Sequence, residues 1–162
     1  MDSIFFDVDG YELVRADADD ERYILSCMKE TVLGSVSPDE RGMSELWISD
    51  ILMITADSLR KGNGEVFKLM NGKEYAGMLW MGESRDQFTC DGTGYIYGIQ
   101  VREDLRGRGL GRELMRAAER WCSANGLLTL TLNVGTWNRR ARELYEASGF
   151  SVRSTVMSKT LR

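Results

Sequence analysis

Val101-Arg-Glu-Asp-Leu-Arg-Gly-Arg-Gly-Leu-Gly-Arg112 is the stretch whose reading decides the fold of this chain. An apolar, aromatic run (Tyr95-Ile-Tyr-Gly-Ile-Gln-Val101) precedes it. Helical periodicity follows it at Leu110, Leu114, Ala117, Ala118 and Trp121. Strand, glycine-arginine turn and helix, in that order, build an anion-binding site. The first turn of a helix has unpaired N–H groups and a partial positive charge, and glycines let an anion approach that backbone closely. Arg102, Arg106, Arg108 and Arg112 add full positive charge beside it. The turn predicts a phosphorylated ligand.

Composition narrows the setting. The 162 residues read as one domain over 1–162, large enough for a core. No apolar run reaches the roughly 18–20 residues of a membrane helix, and the N-terminus is acidic. Neither a membrane partner nor a secretory signal is expected. Cys27, Cys90 and Cys122 are an odd number without C-x-x-C spacing, so a reduced, cytoplasmic protein is expected. Cys122, beside Trp121, reads as core packing. Histidine is absent, which excludes Ser-His-Asp, Cys-His and His-ligated metal mechanisms, and no metal is expected. The net charge of −4 makes nucleic acid a poor partner unless basic residues cluster. They do cluster at 102–116 and 139–142, but without interleaved aromatics. A small anionic ligand explains them better, although several also read as a solvated face.

Outward from the turn, the rest of the chain falls into alternating elements. Residues 11–16 alternate like a strand. Asp17 and Asp19 can cap a helix with an apolar face at Ile24, Leu25, Met28 and Val32, interrupted at Gly34. Ser37-Pro-Asp-Glu40 has the capping-box form and opens a helix over 37–60 that would bury Met43, Trp47, Ile51 and Ile54. Strands at 65–70 and 74–81 flank Asn71-Gly72, a hairpin signal because both residues accept positive φ. Then come a strand at 95–101, a helix at 109–125 ended by Asn125-Gly126, a strand at 127–133, a helix at 138–148 stopped by Gly149, and a strand at 152–161. The order β-α-α-β-β-β-α-β-α-β predicts an α/β fold (α+β mixed sheet) with helices on its faces. Its 95–101 and 127–133 strands should be parallel.

Two glycine-loop readings of the turn fail. A triphosphate-binding loop needs G-x-x-x-x-G-K-[ST], and no such lysine and hydroxyl follow Gly111. A dinucleotide loop needs a third glycine where Arg112 stands, and an acidic residue where the next strand ends in Asn133. A third pattern, R-x-x-G-x-G, is filled by Arg106-Gly-Arg-Gly-Leu-Gly111. A second block lies downstream: Asn138-Arg-Arg-Ala141-Arg-Glu-Leu144-Tyr145-Glu-Ala-Ser-Gly149-Phe150. Together these resemble the acetyl-coenzyme A diphosphate motif and the N-x-x-A-x-x-L-Y-x-x-x-G-F signature of the GNAT superfamily of N-acetyltransferases. Met157-Ser-Lys159-Thr-Leu161 is similar to that family's closing strand. The resemblance is close over 94–161 and only an order of elements over 11–81.

The resemblance implies a GNAT-like acyl-CoA N-acyltransferase fold and an N-acetyltransferase that carries acetyl from acetyl-CoA to a primary amine by direct ternary-complex transfer. It implies that the cofactor docks where the strands at 95–101 and 127–133 part. There pantetheine amides pair with backbone groups of Ile99, Gln100 and Val101. The diphosphate lies on Arg106, Gly107, Arg108, Gly109, Leu110, Gly111 and Arg112, and an N–H near Val101 polarises the thioester carbonyl. It also implies that Tyr145 is the general acid for the leaving thiolate, a phenol near pKa ~10 being matched to a thiol near ~8.5. From the residues alone, Tyr145 also reads as a core aromatic beside Leu144. Asn138 reads as a helix cap and, through the resemblance, as a cofactor contact. Arg139 and Arg140 are divided between solvated surface and the cofactor's 3′-phosphate.

One departure concerns the base. Several relatives have a glutamate four residues before the position of Val101, where this chain has Tyr97. A water chain or a carboxylate from elsewhere is then the base, with Glu83, Asp86 and Asp91 candidates by location. The same loss leaves a non-catalytic acyl-CoA-binding sensor or interaction module as the alternative on this fold. Acidic residues Asp39, Glu40, Glu83, Asp86 and Asp91 hint at a cationic small-molecule or peptide acceptor such as a polyamine, an aminoglycoside or a peptide amine. The apolar face of the 37–60 helix offers a surface for a homodimer.

Overall fold

The computed structural model describes residues 1–37, 44–159 and 161, with backbone alone at 44–47 and 51. The elements in chain order are β1 (Ser3–Ile4), β2 (Tyr11–Arg15), α1 (Glu21–Ser35), α2 (Ser44–Arg60), β3 (Glu65–Asn71), β4 (Glu74–Arg85), β5 (Gly92–Val101), α3 (Leu110–Ala124), β6 (Leu130–Leu132) and α4 (Arg139–Ala147). The strands form one six-stranded sheet in the order β1-β2-β3-β4-β5-β6. Neighbours are antiparallel except β5 and β6, which run parallel as the β-α-β unit predicts. The mixed sheet with helices on both faces is the expected α/β class.

Each face has its own core. The periodic stripe of α3 (Leu110, Leu114, Ala117, Ala118, Trp121) is wholly buried, packed with Phe67, Leu69, Leu79, Met81 and Ile96 of the sheet. On the other face, Ile24, Cys27 and Met28 of α1 pack on Val66, Met78 and Trp80. Burial pushes the Cys27 and Cys122 thiols up to about 11, so both are packing residues and poor nucleophiles at neutral pH. Asp17 caps the chain's entry to α1: its carboxylate accepts from Asp19 N–H at 2.9 Å while its own N–H donates to Asp20 Oδ2 at 2.8 Å.

Four expectations change. The hairpin loop is Gly72-Lys73, with Asn71 still in the strand and paired with Glu74. Positive φ is needed at Gly72 alone (+59°), the pattern of a glycine-first two-residue turn. On α2, Ile54 is exposed, and the smaller Thr55 and Ala56 turn inward instead. Trp47 and Ile51 are described by backbone only, while Met43 and the Ser37-Pro-Asp-Glu40 box lie wholly or partly outside the described residues. The parallel strand is shorter than 127–133, because Leu128 points into solvent and pairing begins at Leu130. Among the described residues, no strand forms in 152–161, and this segment is exposed. The segment carries no apolar face. One side reads Val152, Ser154, Val156, Ser158 and the other Arg153, Thr155, Met157, Lys159, so neither gains enough from burial to be held on the sheet.

Candidate active site

The site begins with one extra residue. In the β4–β5 ladder Trp80 pairs with Gly98 and Met81 with Ile96, which leaves Tyr97 unpaired as a bulge. A bulge bends its strand, and β5 parts from β6 here. Their parallel ladder joins only Gly94–Ile96 to Leu130–Leu132. Beyond it, the Arg102 N–H donates to the Ala76 carbonyl on β4 at 2.8 Å. Antiparallel strands alternate the direction of their backbone groups, so Gly98 and Gln100 also face β4. Ile99 and Val101 therefore present N–H and C=O to the gap.

The turn after β5 forms the second wall. Gly107 and Gly109 have φ of +80° and +84°, and a Cβ on either would meet nothing within 4 Å. These glycines are required for backbone conformation and leave the loop without side chains where it lines the cavity. Gly111 serves differently: a Cβ there would lie 3.2 Å from Leu144 Cδ2, so its absence lets α4 approach α3. Arg106 folds inward, donating from Nε to the Val101 carbonyl at 2.9 Å.

Helix α4 supplies the third wall. Asn138 caps it, its Oδ1 accepting from Ala141 N–H at 3.2 Å. The Tyr145 ring packs 6.0 Å from Phe150, centre to centre, beyond the Gly149 turn. Burial raises its phenol above the usual tyrosine value, so the hydroxyl stays protonated at neutral pH. The walls enclose a cavity of about 720 Å³.

Of the residues singled out by sequence, Ile99, Gln100, Val101, Arg106, Gly107, Gly109, Leu110, Gly111, Arg112, Asn138 and Tyr145 line this cavity. Arg108 does not; its guanidinium reaches the Asp104 carbonyl at 3.4 Å on the outer side of the turn. Arg102 is spent on structure, donating to Asp104 at 2.7 Å and to the Tyr75 carbonyl at 2.8 Å. The next pair of arginines separates cleanly: Arg140 lines the cavity, whereas Arg139 pairs with Glu143 at 2.8 Å.

None of Glu83, Asp86 and Asp91 lines the cavity. Asp86 accepts from the N–H groups of Thr89 at 3.0 Å and Phe88 at 2.9 Å and pairs with Arg153. The Thr89 bond above all, then Arg153, hold its carboxyl down at about 2, too weak a base to take an amine's proton. The carboxylate that does reach the cavity is Glu30 on α1, which sequence reasoning missed. It accepts from Gln100 Nε2 and lies 3.8 Å from Arg106 Nη2. Its only signal was a place on the polar side of α1, shared with many solvated residues. Of the acidic residues behind the hint of a cationic acceptor, Glu83, Asp86 and Asp91 stand away from this cavity, and Asp39 and Glu40 lie outside the described residues. One glutamate faces Arg106, Arg112 and Arg140 among the charged lining residues described.

The donor set suits a coenzyme A-type ligand: bare glycine backbone and guanidinium groups for a diphosphate, and an unpaired strand edge for amides. Comparison with known proteins agrees. The chain is 27% identical to a putative acetyl transferase from Pyrococcus furiosus, with a TM-score of 0.77 over 93% of this chain and 99% of that one. The structure of AAC(6')-Iy in complex with the bisubstrate analog CoA-S-monomethyl-acetylneamine shares the fold, at 18% identity and a TM-score of 0.68 over 94% and 98% of the two chains. In sequence, the chain is 32% identical over 92 residues to the uncharacterized N-acetyltransferase YycN of Bacillus subtilis (strain 168), covering 57% of this chain. It is 29% identical over 118 residues to YobR of the same organism, covering 69% of this chain. The matches span 58% and 48% of those relatives, so about half of their length. The pattern of the Acetyltransferase (GNAT) family itself matches residues 30–150, from the helix that bears Glu30 through the phenylalanine that backs Tyr145. The chain belongs to the GNAT acetyltransferase family.

Proposed function

We propose that this chain is an acetyl-CoA-dependent N-acetyltransferase that transfers acetyl directly to a primary amine of a small molecule or peptide within a ternary complex. One juxtaposition supports the reading above all. The gap-facing backbone of Ile99 and Val101, the bare glycine turn and the half-buried Tyr145 share one cavity.

Acetyl-CoA supplies an acetyl group activated as a thioester. The N–H groups of 107–111 hold its diphosphate, the Arg106 N–H being taken by the Glu103 carbonyl, with the Arg106 and Arg112 side chains adding charge-assisted bonds and Arg108 adding field from the outer side. Ile99 and Val101 orient the pantetheine arm as an added strand, whereas the Gln100 backbone is turned to β4 and does not take the part expected of it. An N–H near Val101 steadies charge that develops on the carbonyl oxygen. Asn138 and Arg140 contact the cofactor from the α4 side. Tyr145 gives its proton to the departing sulfur, a role its burial favours by keeping the phenol neutral. The amine's proton leaves through water.

A coupled thiol-release assay with acetyl-CoA and a panel of small amines and peptides tests this. Amine-dependent thiol release is the expected result. Tight coenzyme A binding with no release across the panel would instead establish the non-catalytic module.

A further inference from the structure

The bulge that opens the site also presents a ring to it. Tyr97 is 40% exposed although it sits on an inner strand of the sheet, and it lines the cavity. Its ring is pinned from two sides, 5.0 Å from Tyr95 at 58° and 5.3 Å from Trp80 at 38°. Trp80 is itself fixed, donating from Nε1 to the Asn63 carbonyl at 2.9 Å. The neighbouring strand is cleared for the ring as well: a Cβ on Gly82 would lie 3.0 Å from Tyr97 Cε2. A rigid, half-open aromatic surface therefore stands two residues from Ile99, where the strand edge is free.

Among the described lining residues, no free carboxylate stands beside it. Glu30 is the acidic residue among the described lining residues, and it is engaged by Gln100 and Arg106. Gln100 is three residues from Tyr97, about 10 Å along a strand rising ~3.3 Å per residue. The other charged residues among the described lining, Arg106, Arg112 and Arg140, belong to the cofactor side, so the described acceptor end around Tyr97 offers a ring rather than a charge. The amine must be uncharged when it attacks, so the group that carries it has to supply binding energy that does not depend on the ammonium charge. We propose that the acceptor end of this cavity selects an amine borne on an aromatic ring, which stacks on Tyr97. This rests on the acetyl-transfer reading above.

The probes are 2-phenylethylamine and 2-cyclohexylethylamine, matched in length and size but not in π character. Each is titrated calorimetrically into the full chain, alone and with saturating coenzyme A, and coenzyme A binding is measured separately. Phenylethylamine should bind about 2- to 10-fold more tightly than its saturated partner, the range expected for an aromatic pair. Y97F should keep that preference. Y97L, which retains apolar bulk, and Y97A should both abolish it while still binding coenzyme A, which reports an intact fold. Equal affinity for the two amines in the unaltered chain overturns the proposal, as does a preference that survives Y97L. Failure of coenzyme A to bind would defeat the acetyl-transfer reading instead, and the titrations without coenzyme A would still decide the aryl preference.

Discussion

Arg106 Nε donates to the Val101 carbonyl at 2.9 Å, closing the turn between β5 and α3 from inside the cavity. The motif arginine therefore holds the end of the splayed strand as well as carrying charge. Its Nη2 lies 3.8 Å from Glu30, so the same side chain links the strand end to α1. Charged hydrogen bonds contribute about 1.5–3 kcal/mol each. Arg106→Gln should accordingly weaken coenzyme A binding by about 10-fold or more. Arg106→Lys should recover only part of the loss, because an ammonium cannot bond Val101 and an anion in the same fork. Calorimetry with coenzyme A decides it, and an unchanged Kd for Arg106→Gln removes this residue from the cofactor site.

Tyr145→Phe keeps the ring against Phe150 and deletes only the proton donor. Removing a general acid costs about 10²-fold or more in kcat, with little change in coenzyme A affinity. Burial raises the phenol's pKa, so any loss of activity due to its ionisation should fall on the alkaline side of the ordinary tyrosine range. Steady-state kinetics across pH tests both points. Full kcat in Tyr145→Phe would return the residue to a packing role.

How much of this was legible in the sequence follows from how local each feature is. The glycine turn and the Asn138–Phe150 block are runs whose spacing is fixed by one loop and one helix, and both were readable. Glu30 was not, because it meets Gln100 across 70 positions and nothing in α1 marks it apart from its solvated neighbours. Tyr97 was visible as a departure from the family's glutamate, but its bulge depends on register with Trp80, which no local pattern encodes. The strand expected at 152–161 failed for the converse reason. Its likeness to the family's closing strand was local, while an apolar face to hold it on the sheet was missing.

The backbone of the turn makes a separate demand. Gly109 precedes α3 at φ +84°, with open space where a Cβ would be. A β-branched side chain there is strained and fills the approach to the first N–H groups of α3. Gly109→Val should abolish measurable coenzyme A binding while the chain stays folded by circular dichroism. Retained affinity would show that the anion does not lie on this turn.

Acid should loosen the loop between β4 and β5. Asp86 has a carboxyl near 2 in the folded chain, against about 3.9 unfolded. A folded pKa below the unfolded one gives stability that is complete above about pH 4 and is lost as pH falls toward 2. Asp86→Asn should therefore lower the melting temperature at pH 7, and the gap to the unaltered chain should narrow steadily below pH 4. A gap that is constant across this range would mean the Thr89, Phe88 and Arg153 contacts do not depend on the charge.

β5 and β6 begin their short parallel ladder directly beneath α3. Gly94 is the first residue of the short parallel ladder, paired with Leu130, and a Cβ on it would run into Cys122 Sγ of α3. The close seating of α3 on the sheet therefore depends on the missing side chain. Gly94→Ala should destabilise the chain by about 1–3 kcal/mol, the usual cost of overpacking. Cys122→Ala alone should cost less, since it removes one sulfur from a packed core. The double variant should be more stable than the sum of the two predicts, because the sulfur that blocks the new methyl is gone. Urea unfolding of the four chains gives the coupling directly. Strict additivity would show that α3 can shift to admit the methyl, and the seating of α3 would then have to be set elsewhere along its buried face.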